Sequence, residues 1–215
     1  MTENDVGFLS YQHSRQAHWD AIALKMDSWK DWSQAYYKRL VEIYRFLAPP
    51  GQRILEIGCG HGNLLSALTP SCGVGIDFSK EMIQRAVKAH PDLDFVQADA
   101  HDLKTIQGSF DVIILSDLID DLWDVQQVFE QLKHFCHPRT RLILNSYSRV
   151  WELPLLIAAK LGLAKPRLTQ NWLTVEDVTD LLNLSGFEVI RSWQEILWPL
   201  WTPGLASLCN KILVK

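Results

Sequence analysis

The most constraining feature is a short aliphatic run, Arg53-Ile-Leu-Glu-Ile57, that passes directly into Gly58-Cys59-Gly60-His61-Gly62-Asn63. Such a run ending in clustered glycines reads as a buried strand that delivers the chain to a tight loop. A short helix is predicted from Asn63 to Leu68. Val74 to Ile76 reads as a second strand ending at Asp77, and Ser79 can cap a helix over Lys80 to Ala89. Asp94 to Gln97 and Phe110 to Leu115 read as the third and fourth strands. The unbroken apolar run of the latter suits burial on both faces, as in a parallel sheet. Asp124 to Phe135 reads as a helix and Arg141 to Asn145 as a fifth strand. Strand and helix therefore alternate from 53 to 145, the pattern of an α/β doubly wound, mostly parallel sheet.

The flanks carry less regular signals. Trp29, Trp32, Tyr36, Leu40, Ile43 and Leu47 recur at spacings of three and four, which predicts one helical cap over 12–48. Pro49-Pro50-Gly51 stops it. Residues 151–162 read as a helix, and Thr174 to Asp177 resembles a capping box that opens a helix over 175–184. Ser185-Gly186 ends that helix, and Phe187 to Ile196 is predicted as a sixth strand. The tail from Trp198 onward reads as an amphipathic helix, so a seventh strand is expected to be absent or irregular. The 215 residues are 47% hydrophobic, which suits one domain. Within it, 1–50 form an N-terminal cap, 51–146 the core, and 147–215 the acceptor side.

Composition excludes several classes. A net charge of −4 and a pI of about 6.0 leave no basic footprint for nucleic acid. Four dispersed cysteines fit a reducing cytoplasm. No targeting or spanning segment is evident, although peripheral membrane contact is compatible with the aromatic flanks. His134, Cys136 and His137 lack a second cluster at metal-ligand spacing, so no metal is expected. Nine tryptophans are present, none between 33 and 122.

In open parallel sheets, ligands bind beyond the carboxyl ends of the strands, where the strand order reverses. There the glycine loop and Asp77, 19 residues after Gly58, suggest an adenosine-containing cofactor, because an acid can accept from both ribose hydroxyls. The loop is GxGxG rather than GxGxxG, Glu56 precedes it by two residues, and a further acid, Asp99, ends the third strand. At these residues the chain resembles class I S-adenosylmethionine-dependent methyltransferases, whose fold is Rossmann-like. The matching segments are ILEIGCGHG, GVGIDFSKEMI, DFVQADAHDL, FDVIILSDLIDDL and RLILNS. The wider match, through HPRTRLILNSYSRVWE and QNWLTVEDVTDLLNLSGFEVI, looks like the subgroup associated with or fused to glycosyltransferases.

The resemblance implies particular roles. Gly58, Cys59, Gly60 and Gly62 hold the methionine part of S-adenosyl-L-methionine, with Glu56 supporting that end. Asp77 takes the ribose hydroxyls and Phe78 lies beside the adenine. Asp99 accepts from the adenine amino group, and the Ala100 N–H faces a ring nitrogen. Ser116, Asp117 and Leu118 line the floor near the sulfonium, and the product is S-adenosyl-L-homocysteine. In-line displacement needs proximity more than a base, so no catalytic residue is assigned. Asp117, Asp120 and His101 are the candidates should a hydroxyl need one, with Tyr147 positioning the acceptor. Asp120, Asp121 and Asp124 are otherwise read as helix-N-terminal charges. Tyr37, Tyr147 and Trp172 are the candidate acceptor contacts.

The acceptor is expected to be a small molecule, a glycan or a lipid-linked sugar. A glycosyltransferase partner, or self-association through an open sheet edge, fits the same reading. The rivals are a non-catalytic cofactor-binding module in a glycosyltransferase system and a nicotinamide-dependent oxidoreductase. The missing third glycine and Asp99 speak against the latter.

Overall fold

A computed structural model describes residues 3–26, 34–147 and 170–194, with 152, 156, 157 and 168 besides. The elements are α1 (Glu3–Lys25), α2 (Gln34–Leu47), β1 (Arg53–Ile57), α3 (Asn63–Ala67), β2 (Cys72–Asp77), α4 (Lys80–Ala89), β3 (Asp94–Gln97), β4 (Phe110–Ser116), α5 (Val125–Leu132), β5 (Cys136–Asn145) and α6 (Val175–Leu184). Single 3₁₀ turns, Ile119–Asp121 and Lys133–Phe135, flank α5.

The five strands form one parallel sheet in the order β3-β2-β1-β4-β5. Ile57 pairs with Ile76 on one side and Leu115 on the other. The chain therefore winds outward from β1 in both directions, and the reversal falls between β1 and β4. β1 and β4 are almost wholly buried because helices cover both faces. One face packs Leu55, Ile57, Ile113 and Leu115 against α5 and α6. The other packs Ile54, Val112 and Ile114 against Leu40 and Tyr44 of α2 and Leu64 and Leu65 of α3. Each such side chain contributes about 1.5–3 kcal/mol on burial.

Local signals agree with these elements. The Ser79 hydroxyl accepts from the Met82 N–H at the start of α4, and Asp124 accepts from Gln127 at the start of α5. Thr174 and Asp177 form the reciprocal capping box of α6.

Three expectations change. The single cap helix over 12–48 is two helices, and α1 begins at Glu3, well before the apolar stripe. Its inward face is largely polar, so apolar periodicity does not mark it. The segment 187–194 is not a strand. Phe187 and Val189 pack against the core while Ile190 points to solvent, so alternation arises here without a ladder. Residues 195–196 of that predicted strand lie outside the described residues, as do Trp29, Trp32, Trp151, Trp198, Trp201, most of the 151–162 helix and the tail. Among the described residues no strand pairs with the outer edge of β5, and no helix is long and apolar enough to cross a membrane.

Candidate cofactor site

At the carboxyl ends of β1 and β2 the backbone folds back on itself. The Gly58 and Cys59 N–H groups both donate to the Ile76 carbonyl, at 2.7 and 2.9 Å. Gly58 and Gly62 have φ of 72° and 77°, in the left-handed region. A Cβ at Gly58 would lie 2.8 Å from the Leu118 side chain, and one at Gly62 would lie 2.5 Å from the Phe95 ring. These positions need glycine for both conformation and space.

Asp77 ties this loop to the next helix. Its Oδ2 accepts from the Gly60 N–H and its Oδ1 from the Ser79 N–H, both at 2.9 Å. Burial raises its pKa to about 6 against the opposing pull of those N–H groups. A carboxylate offers about four acceptor positions, so two anchoring bonds are compatible with hydroxyls bound on the cavity side. Asp99, at the end of β3, is the opposite case. Burial pushes its pKa up, but the His101 side chain and backbone and the Gln12 amide outweigh it, and the net shift is downward.

Asp77 and Asp99 border a cavity of about 180 Å³. Gly58, Gly60, Phe78, Ala100, His101, Ser116, Asp117 and Leu118 also line it. The structure thus brings together ten of the residues singled out in the sequence. Three of the cofactor-loop residues do not line this cavity. Glu56 lies at 2% exposure on β1, and burial lifts its carboxyl to about 8. Gly62 packs against Phe95, and Cys59 is buried with a thiol pushed well above its ordinary range, so it is no nucleophile.

The candidate bases separate. His101 Nδ1 lies 2.7 Å from Asp99 Oδ1, and its Nε2 accepts from the Asp124 N–H at 3.2 Å. Both ring nitrogens are engaged, so His101 is not placed as a base. Asp117 has φ of 53° at the end of β4. The Tyr36 hydroxyl reaches both of its carboxylate oxygens, at 2.7 and 2.9 Å, and Asn145 Nδ2 donates to it as well. The Tyr44 hydroxyl in turn donates to Asn145 Oδ1 at 2.7 Å. Burial, then the Asp117 charge, holds the Tyr36 phenol protonated.

Asp120 and Asp121 are not surface charges at a helix start. Asp120 is 1% exposed and accepts from the Tyr147 N–H, while Asp121 pairs with Arg15 and accepts from Trp19 Nε1. Only Asp124 caps a helix.

Of the acceptor contacts expected, Tyr147 stacks on Tyr36 with ring centroids 5.6 Å apart, outside the cavity lining. The Tyr37 hydroxyl is buried near Glu56 and has no hydrogen-bond partner among the described residues. Trp172 is half-buried away from the lining.

Sequence reasoning missed the contribution of α1. Phe8, Tyr11, Gln12, Arg15 and Trp19 form the far wall of the cavity. Gln12 Nε2 donates to Asp99 Oδ2 at 2.6 Å, Gln16 Nε2 donates to the Phe78 carbonyl at 3.2 Å, and Asp20 accepts from the Ser79 hydroxyl. The one available signal was the i, i+4 spacing of Tyr11, Arg15 and Trp19, a polar-aromatic stripe rather than an apolar one.

The chain matches the family model described as a methyltransferase domain over residues 49–197. It is 24% identical over 178 residues to a probable S-adenosylmethionine-dependent methyltransferase of Mycolicibacterium smegmatis, covering 80% of this chain and 65% of that one. It is 43% identical over 70 residues to the phthiotriol/phenolphthiotriol dimycocerosates methyltransferase of Mycobacterium leprae, covering 30% of this chain and 26% of that protein. The match thus spans about a quarter of such relatives' length. Among solved structures, magnesium protoporphyrin IX methyltransferase from Synechocystis, with S-adenosylhomocysteine bound, superposes with a TM-score of 0.66 at 19% identity, covering 84% of this chain and 91% of that one. These matches reach the methyltransferase domain, and the glycosyltransferase-linked subgroup stays an expectation of the sequence. The acids, the glycine loop and the apolar walls of Ile57, Ile76 and Leu118 suit an adenosine-bearing ligand. The chain belongs to the methyltransferase domain family, with a class I, Rossmann-like fold and S-adenosyl-L-methionine as its cofactor.

Proposed function

We propose that the chain catalyses methyl transfer to a hydroxyl-bearing small molecule or lipid. The observation that carries this reading is the placement of three acids, Asp77, Asp99 and Asp117, at the ends of β2, β3 and β4 around one cavity. Asp77 binds the ribose hydroxyls, Asp99 accepts from the adenine amino group, and the Ala100 N–H meets the ring. The Gly58–Gly62 loop, braced by Glu56, holds the amino-acid end. When bound, S-adenosyl-L-methionine supplies an electrophilic methyl group on a positively charged sulfur.

In this reading Asp117 receives the proton from an acceptor hydroxyl. Tyr36 and Asn145 fix its carboxylate from two elements. The wall formed by α1 borders the cofactor end. The lipid acceptors named for the mycobacterial relatives fit a hydroxyl substrate.

The test is calorimetric binding of S-adenosylhomocysteine followed by labelled-methyl transfer into lipid, glycan and metabolite extracts. Asp77→Asn is expected to weaken binding by about ten- to a hundredfold, the effect of losing hydrogen bonds to a charged acceptor, while the protein stays folded. Unchanged affinity would refute the ribose assignment. A protein that binds cofactor but labels no extract would favour a non-catalytic module.

A further inference from the structure

We propose that Tyr44, a phenol of the core that does not border the cavity, positions the proton acceptor of the reaction: through Asn145 it fixes how Asp117 presents its carboxylate. This rests on the reading of Asp117 given above. Tyr44 is 1% exposed. Neither it nor Asn145 lines the cavity, whereas Asp117 does.

The hydrogen bonds run in one direction. The Tyr44 hydroxyl donates to Asn145 Oδ1 at 2.7 Å, and Asn145 Nδ2 donates to Asp117 Oδ1. An ionised carboxylate only accepts, while a carboxamide has one accepting end and one donating end. Asp117 therefore takes the amide nitrogen, which turns the amide oxygen toward Tyr44, and Tyr44 must donate. The main chain adds a second tie, because the Asp117 N–H donates to the Asn145 carbonyl at 3.1 Å. Asp117 has φ of 53°, a region that residues other than glycine enter at a cost. Asn145 thus holds this residue by backbone and side chain at once. Tyr36, about two turns before Tyr44 on α2, closes the array. Its hydroxyl donates to both carboxylate oxygens, and its oxygen accepts from Asn145 Nδ2 at 3.2 Å.

Packing alone does not call for the Tyr44 hydroxyl. A phenylalanine would fill the same place among Leu40, Ile54 and Val112. A buried hydroxyl costs free energy unless it is bonded, and its partner here is the residue that orients the carboxylate. The titratable groups facing the array are Tyr36 and Tyr44 from α2, Glu56 from β1 and Tyr147 beyond β5. Burial, then the Asp117 charge, keeps both α2 phenols protonated, so they stay donors throughout the range in which a carboxylate titrates.

The test uses the full chain and NMR of the aspartate carboxyl carbons, with the Asp117 signal identified by its loss in Asp117→Asn. Tyr44→Phe keeps the ring, removes the donor to Asn145 and leaves the amide free to turn. A carboxylate that loses a donor to its charged form titrates higher. The Asp117 pKa is expected to rise by about one unit, the tenfold change that suits a hydrogen bond to a charged group. The acid limb of labelled-methyl transfer, read in the extract that accepts label, should move up by the same amount. S-adenosylhomocysteine binding by calorimetry should not change, since Tyr44 does not border the cavity. Asn145→Ala is expected to shift the Asp117 pKa at least as far, and adding Tyr44→Phe to it should shift it no further, because Tyr44 acts through Asn145.

An unmoved Asp117 pKa in folded Tyr44→Phe would make the hydroxyl a hydrogen bond of the core alone and overturn the proposal. Should Tyr44→Phe fail to fold, Asn145→Ala decides, and an unmoved pKa there overturns it equally. Full methyl transfer by Asp117→Asn would instead sink the reading of Asp117 on which the role of Tyr44 depends.

Discussion

Glu56 and Asp77 illustrate at single-residue scale what the site asks of the protein. Both are acids buried at the strand ends, and both have raised pKa values, Glu56 to about 8 and Asp77 to about 6. For Glu56 the first cause is desolvation. The Leu65 backbone N–H opposes it and the Asp77 charge adds to it. Oε2 has no hydrogen-bond partner among the described residues. A carboxyl whose folded pKa exceeds its unfolded value binds more protons when folded. Its stabilising contribution is complete below the unfolded pKa of 4.5 and is lost as pH rises through about 8. Glu56→Gln, which stays neutral, is therefore expected to melt higher than wild type at pH 8, with the gain shrinking steadily toward pH 4.5. The upper bound on the slope is about 1.4 kcal/mol per pH unit. Thermal melting of both proteins across that range checks it, and a gain independent of pH would contradict the assignment of the titrating group.

At the scale of elements, α1 and β4 are tied together by one residue. Asp121, in the 3₁₀ turn after β4, pairs with Arg15 and accepts from Trp19 at 3.0 Å, and its side chain is 12% exposed against 5% for Arg15. Removing one partner of a buried pair leaves the other charge desolvated, at a cost of about 3–5 kcal/mol. Asp121→Ala should therefore lower stability toward that range in chemical denaturation and raise hydrogen exchange across α1 more than across α5. Equal effects on both helices would place the loss in the core instead. These contacts also explain what could be read from the chain alone. β1 and β4 follow from aliphatic runs, because burial on both faces leaves few other residue choices. Asp77 and Asp99 were legible since each ends a strand, and the Thr174 box marked α6. The wall made by α1 was not. Its inward residues, Tyr11, Gln12, Arg15 and Trp19, bond to partners 87 to 110 positions away, and no local period encodes partners that remote. The same limit made Phe187 to Ile196 read as a strand, of which the described part, 187–194, is none, since alternation reports one buried face and not a ladder.

At the scale of the molecule, the outward winding from β1 matters most. Because β1 and β4 are neighbours whose connections depart in opposite directions, their carboxyl ends leave a crevice that no crossover fills. The sheet below is buried on both faces, whereas the roof above is α1, held by polar contacts to Asp99, Phe78 and Asp121 and by packing on Met82 and Trp123. Ligand binding should thus couple to the whole fold through the roof. A ligand that binds only the native state at a hundred times its dissociation constant adds about 2.7 kcal/mol. For a domain of 150–250 residues that corresponds to a rise in melting temperature of roughly 5–10 °C. S-adenosylhomocysteine is expected to produce this shift. Slowed hydrogen exchange should concentrate in α1 and the 58–62 loop, because β1 and β4 are already protected without ligand. Protection spread evenly over the sheet would mean that the roof and the platform open as one unit. No shift at saturating ligand would mean that the crevice does not hold the cofactor.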